Sequence, residues 1–302
     1  MAKIFVLGSL NMDLVINAER FPNKGETIKG TDFFINEGGK GLNQAVACAK
    51  MGAETYMIGT VGCDEYGKKL IKALKTYGVK TKYIQKIKHK NSGIALITVC
   101  DGENKIIVNS GANALINFAK VEKILNTKTL PGDILILQQE IPLDIVEKAI
   151  AIASKKYVKV ILNPAPAAKI KKDLYKKVDL IIPNETETEI LTEICPDDEV
   201  SIKLAIQSLH KLGVKNVAIT LGSKGAVISA GKEIEFIPAK IVKVVDTTGA
   251  GDTFVGVVAV MLQEGKSLSK SANFANTASA LKITRKGAAK AIPTYTEVLL
   301  SE

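Results

Sequence analysis

Short apolar runs alternate along this chain with longer stretches in which apolar positions recur every three or four residues. Runs of the first kind lie at residues 4–8, 55–60, 133–138, 158–163, 180–183 and 217–221; their length and β-branched content predict buried strands. Stretches of the second kind cover 42–51, 64–77, 143–156 and 200–212, the last with Ile202, Ala205, Ile206, Leu209 and Leu212 on one helical face. Residues 252–265 and 267–282 predict two consecutive helices. Strand and helix alternating in this way predict a mostly parallel sheet covered by crossover helices.

Two segments break the alternation. Residues 14–37 carry β-branched and aromatic runs at 26–29 and 31–36, with turn residues Pro22, Asn23 and Gly25 and no helical period. Residues 92–109 predict a hairpin, with strands 93–100 and 105–109 around Asp101-Gly102-Glu103-Asn104. Together they predict a small β-sheet, 14–37 with 92–109, projecting from an α/β domain of residues 1–13, 38–91 and 110–302. Such a sheet serves as a lid over a pocket at the strand ends, as an edge extension or as a dimer surface. Pairing with a second copy would bury its apolar face, so a homodimer through the lid is expected.

With 302 residues, 46% of them hydrophobic, the chain can bury a full core. No apolar run approaches the ~20 residues that span a bilayer, and the first run gives way to Asn11 and Asp13 as a strand does and a signal peptide does not. Cys48, Cys63, Cys100 and Cys195 are scattered without a Cys-x-x-Cys pair, so reduced thiols and a cytoplasmic location are expected. The net charge of +10 raises nucleic acid as a partner, but Arg20 and Arg285 are the only arginines, aromatics are 5% and Trp is absent. Bidentate phosphate contacts and base stacking are therefore poorly served, and no nucleic-acid partner is expected. A positive potential still draws in a polyanion such as ATP. With only His89 and His210, a His-rich metal site or a Ser-His-Asp triad has little to build on.

The chemistry concentrates in Asp246-Thr247-Thr248-Gly249-Ala250-Gly251-Asp252-Thr253, just before the apolar series Phe254 to Leu262. Small residues opening a helix leave outward N–H groups that attract a phosphate. Asp252 alone reads as a cap that complements the helix dipole. Beside a phosphate-binding turn, the same carboxylate can take the proton of an attacking hydroxyl, which is what a kinase acting on an alcohol needs. Near the other end, Glu37-Gly38-Gly39-Lys40-Gly41-Leu42-Asn43-Gln44-Ala45 lets a ligand approach the backbone, with Asn43 on the first helical turn. It is neither a Walker A loop nor Gly-x-Gly-x-x-Gly.

Other predicted strand exits also carry polar groups. Asn11 and Asp13 follow the first strand at period two, facing a binding crevice or forming a turn. Glu140 follows the run that ends at residue 138. Asn184 and Glu187 share a helical face and equally fit a capping box. The glycine turn Thr220-Leu221-Gly222-Ser223-Lys224-Gly225 passes under a nucleotide or only reverses the chain. In a parallel sheet these exits converge on one edge.

In content and order these segments resemble the ribokinase family of carbohydrate and nucleoside kinases, over essentially the whole chain. The resemblance implies a three-layer ribokinase-like α/β fold, a mostly parallel central sheet flanked by helices with a small β-sheet lid. It implies ATP-dependent phosphorylation of a sugar: D-ribose at its 5-hydroxyl, opening ribose catabolism, with deoxyribose, fructose or 2-keto-3-deoxygluconate as alternatives. A non-catalytic sugar sensor would have lost Asp252 or its glycine loop, and both stand. Asn11, Met12, Asp13, Gly39, Lys40, Gly41, Asn43 and Glu140 would surround the sugar, with Asp252 as general base and Gly249, Ala250 and Gly251 as the anion hole. Asn184, Thr220, Leu221, Gly222, Ser223, Lys224, Gly225, Gly251 and Asn276 would contact ATP, and Glu187 would help hold Mg2+ and its waters. Asp246, Thr248, Lys282, Arg285, Gly287 and Ala291 would bind an activating K+, mostly through backbone carbonyls. At Ala291 the family often has serine.

Overall fold

The computed structural model describes residues 2–100, 103–231 and 233–302; the predicted turn residues Asp101 and Gly102 lie outside them. From β1 (Ile4–Leu7) the chain crosses to β2 (Asn11–Asn17) and β3 (Asp32–Gly38), then returns through α1 (Lys40–Lys50) to β4 (Thr55–Gly62), α2 (Glu65–Thr76) and β5 (Lys80–Ile87). A second excursion forms β6 (Gly93–Cys100) and β7 (Glu103–Asn109). Then follow α3 (Phe118–Lys128), β8 (Ile134–Leu137), α4 (Leu143–Lys155), β9 (Lys159–Leu162), β10 (Leu180–Ile181), α5 (Glu185–Thr192), α6 (Glu199–Leu212) and β11 (Asn216–Thr220). The chain finishes with β12 (Ala226–Ala230), β13 (Glu233–Ile237), α7 (Ala250–Gln263), α8 (Leu268–Ile283) and α9 (Tyr295–Leu299).

The larger sheet runs β13-β12-β11-β10-β9-β8-β1-β4-β5, parallel from β5 to β11 and antiparallel at its β12–β13 edge. Alternation along β1 shows why it has three layers. Ile4 and Val6 pack with α1, α7 and α8, while Phe5 and Leu7 pack with α3 and α4 on the opposite face. Among the described residues no helix is long and apolar enough to cross a membrane.

The apolar pattern missed β5, β12 and β13. Lysines alternate through β5, Lys-Thr-Lys-Tyr-Ile-Gln-Lys-Ile, because it is the sheet's edge and half of it faces water. The expected β run at 26–29 has no regular structure, and β3 begins only at Asp32.

The smaller sheet has the order β3-β2-β6-β7, with β2 parallel to β6 and the other pairs antiparallel. It takes in Asn11 to Asp13 and Gly38, which the sequence pattern assigned to the larger body. Asn11 and Asp13 are therefore strand residues and not a turn. One face carries Asp13, Val15, Phe34 and Ile97 and roofs a cavity of about 520 Å³ over residues 244–248. The opposite face exposes Ile35, Leu96 and Ile107 in one cross-strand row.

Candidate active site

Asp252 stands in the first turn of α7, buried, with both carboxylate oxygens held by side-chain amides of α1. Asn43 Nδ2 donates to Oδ2 at 2.9 Å and Gln44 Nε2 to Oδ1 at 2.9 Å. Small residues let the two helices meet: a Cβ on Gly256 would lie 2.5 Å from Ala47 Cβ. Gln44 also donates to Asn163 Oδ1 at 3.0 Å and accepts from Gln138 Nε2 at 2.5 Å; Asn163 donates to the Ile182 carbonyl at 2.8 Å. Three strand exits thus fix the orientation of one carboxylate. The Asn43 Oδ1 is left buried with no partner among the described residues, an acceptor free for a ligand hydroxyl.

The turn before α7 offers fewer donors than its sequence implies. The Ala250 N–H is spent on the Thr247 carbonyl at 3.1 Å. The N–H groups of Gly251 and Asp252 have no protein partner among the described residues, as expected of a first helical turn. The free donors at the helix opening therefore include Gly251 and Asp252, with Gly249 as the left-handed cap at φ 79°. Ala250 contributes shape and no free donor.

On one side lies a carboxylate cluster. Glu140 Oε2 accepts from Ser9 Oγ at 2.6 Å, Asn11 Nδ2 at 3.2 Å and the Lys40 N–H at 3.4 Å. Asn113 Nδ2 donates to Asn11 Oδ1 at 2.8 Å, so the Asn11 amide is engaged at both ends and keeps one spare N–H. Asp13 is buried with no hydrogen-bond donor among the described residues. Burial, then the charges of Glu140 and Asp252, push its pKa up to about 7. Gly38 makes room for it, since a Cβ there would sit 2.1 Å from Asp13 Oδ2. A Cβ on Gly41 would lie 2.7 Å from the backbone of Gly8 and Ser9, so only glycine lets α1 seat on the exit of β1. The Met12 side chain points into the core, leaving only its backbone to face the site.

On the other side Lys40, Asn184, Glu187, Thr220 and Gly251 line a cavity of about 190 Å³ that reaches Asp252. Thr247 lines both cavities. Burial works against the Lys40 charge, but Asp252, Glu140 and Glu187 outweigh it and hold its pKa above the ordinary lysine value. Asn184 and Glu187 form the capping box of α5, Asn184 Oδ1 accepting from the Glu187 N–H at 2.8 Å and Glu187 Oε2 from the Asn184 N–H at 2.9 Å. Glu187 nonetheless lines the cavity, and burial raises its pKa.

Of the remaining residues implied for ATP, Gly225 and Asn276 meet around 237–239. A Cβ on Gly225 would press on the Ile237 carbonyl at 2.1 Å, and Asn276 Nδ2 donates to the Pro238 carbonyl at 2.7 Å. Gly222, Ser223 and Lys224 form an exposed turn, with Lys224 Nζ on the Asp197 carbonyl at 3.0 Å. Leu221 is a core side chain.

At the residues implied for K+, Lys282 Nζ donates to the Asp246 carbonyl at 2.6 Å. Burial lowers the Lys282 pKa to about 8, against the pull of Asp246 and Asp252. The Asp246 carboxylate accepts from the N–H groups of Thr248 at 2.9 Å and Gly287 at 2.8 Å. Arg285 turns outward to Glu297 at 2.7 Å, and Ala291 offers a buried methyl.

Gln44, Ser9, Asn113 and Asn163 were absent from the sequence-based site. Gln44 lay within a motif already singled out, next to Asn43; the others form long-range pairs that leave no local pattern.

Residues 1–295 match the family described as pfkB family carbohydrate kinase. A ribokinase of Haemophilus influenzae is 41% identical over 295 residues, 97% of this chain and 96% of its own length. A deoxyribokinase of Salmonella typhi is 35% identical over 292 residues, 96% of this chain and 95% of its own. The solved structure of Arabidopsis thaliana ribokinase complexed with ribose and ATP superposes with a TM-score of 0.89 at 36% identity, over 99% of this chain and 98% of that one. Carried over nearly its full length by family, relatives and fold alike, the chain belongs to the pfkB family of carbohydrate kinases.

Proposed function

We propose that this chain transfers the γ-phosphoryl group of ATP to the 5-hydroxyl of D-ribose, giving ribose 5-phosphate. One observation carries the reading: Asp252, gripped by Asn43 and Gln44, lines the smaller cavity next to the unpaired N–H groups of Gly251 and Asp252, and that cavity shares Thr247 with the one under the small sheet. The similar ribokinases, one of them complexed with ribose and ATP, support the choice of substrates.

Sugar hydroxyls would be held by the unpartnered Asp13 carboxylate, the free Asn43 Oδ1 and Glu140. These groups accept hydrogen bonds from vicinal hydroxyls and have no use for an apolar base. Asp252 then takes the 5-hydroxyl proton as the oxygen attacks the γ-phosphorus, and the Gly251 and Asp252 amides with Lys40 stabilise charge on the equatorial oxygens. ATP would lie over Thr220, the glycine turn 222–225 and Asn276.

Mg2+ fits the nucleotide cavity. Glu187 and Asp252 are the two buried carboxylates among the residues lining it, and Mg2+ in such sites is held by one or two carboxylates, waters and the substrate's own phosphates. When bound, it neutralises charge on those phosphates. A K+ ion does not fit the residues implied for it, where the Lys282 ammonium already lies on the Asp246 carbonyl.

We further place the enzyme in the cytoplasm as a homodimer. The exposed thiols of Cys63 and Cys195 suit a reducing compartment. Leu96 and Ile107, paired across strands and 53% and 71% exposed, form an apolar face that a second copy would cover.

The test is ADP release from MgATP with ribose, deoxyribose, fructose, 2-keto-3-deoxygluconate and a nucleoside as acceptors. Ribose is expected to give the highest kcat/KM. Preference for deoxyribose would move the assignment to that sugar, and no sugar-dependent turnover would end it.

A further inference from the structure

Where the resemblance implies a dissociable monovalent cation, this chain carries a positive charge of its own. Lys282 is fully buried near the end of α8, its Nζ 2.6 Å from the Asp246 carbonyl and 3.9 Å from Asp246 Oδ1. Burying an ammonium is costly unless it is paired, and this one is paired to the residue that opens the phosphate-binding turn. The Asp246 carboxylate is already bonded to the N–H groups of Thr248 and Gly287, and Ala291 gives no side-chain oxygen. The same turn is tied to α8 by the Val245 and Asp246 N–H groups on the Ile283 carbonyl and by Ser279 Oγ on the Ala250 carbonyl.

We propose that Lys282 is a built-in cation: its tethered ammonium replaces a free monovalent ion beside the phosphate-binding turn, and the chain works without potassium. An ammonium carries the same unit charge and likewise seeks carbonyl and carboxylate oxygens. Tethered, it has no concentration to depend on. Lys282 is a positioning residue, acting through Asp246 on the amides that open α7. The role in turnover rests on the kinase reading; the occupancy of the seat does not.

Heat denaturation is compared in potassium, sodium and tetramethylammonium chloride at equal ionic strength, with ribose-dependent ADP release in the same salts. For the wild type, midpoints in the three salts should agree within about 1 °C and turnover within about twofold, since no cation binds the native state selectively. Lys282→Ala should acquire a potassium-specific rise in midpoint of a few degrees and at least ~10-fold activation by potassium or ammonium. Lys282→Met serves the same purpose if the alanine variant does not fold. A wild type specifically stabilised or activated by potassium would overturn the proposal, as would a folded variant indifferent to the cation. Wild-type midpoints that agree while no sugar is phosphorylated would sink the kinase reading and leave the seat assigned to Lys282.

Discussion

Gln44 Nε2 donates to Asp252 Oδ1 at 2.9 Å, and no other side chain among the described residues links this proposed general base to two further strand exits. A base acts only when its lone pair is aimed at the proton, and a misplacement of about 1 Å can cost ~100-fold. Gln44→Leu should therefore lower kcat by about 10- to 100-fold with a smaller change in sugar KM. Asp252→Asn, which keeps the shape but cannot accept the proton, should lower kcat by about 100-fold or more with sugar affinity nearly unchanged. Steady-state kinetics of the two variants separates aim from chemistry.

Asp13 gives the site a pH dependence of definite sign. Its folded pKa of about 7 lies above the ordinary 3.8, so the folded state holds this proton more tightly than the unfolded chain. Its contribution to stability is therefore most favourable below 3.8 and is lost as pH rises to about 7. Asp13→Asn should melt higher than wild type above pH 7, with the difference shrinking on acidification. If ribose hydroxyls donate to the ionised carboxylate, wild-type sugar KM should rise as pH falls below about 7, while the variant binds weakly with no such dependence.

Gly38→Ala places a methyl 2.1 Å from Asp13 Oδ2 on the neighbouring strand. Relief requires the carboxylate or the strand to move, at a cost of about 1–3 kcal/mol. Sugar KM should rise far more than ATP KM, measurable by titrating each substrate at saturation with the other.

Ile107→Glu puts a charge in the exposed row with Leu96 and Ile35. The fold, which does not bury this face, should stay intact by circular dichroism. Sedimentation should change from dimer to monomer. A wild type that sediments as a monomer would remove the proposed interface.

Much of this site was legible in the sequence because its parts are local. The glycines around Lys40 and the turn before Asp252 advertise close backbone approach within a few residues. The partners that orient those groups were not: Ser9 and Glu140 are 131 positions apart and Gln44 and Asp252 are 208. Nor was the sheet switch between Leu7 and Asn11, where the chain leaves β1 for β2 with only Gly8, Ser9 and Leu10 between them. The resemblance implied Ala250 in the anion hole, and a sequence does not show that the Thr247 carbonyl takes its N–H. Edge strands such as β5 escaped because half their residues answer to water.

Thr247 is a wall common to both cavities, so on the proposed reading acceptor and donor would lie on either side of one residue. A carboxylate that takes the proton of the acceptor hydroxyl lets that oxygen attack phosphorus directly, so the proposed mechanism is a single in-line displacement with no phosphorylated enzyme. A γ-phosphate made chiral with oxygen isotopes should arrive on the sugar with its handedness inverted.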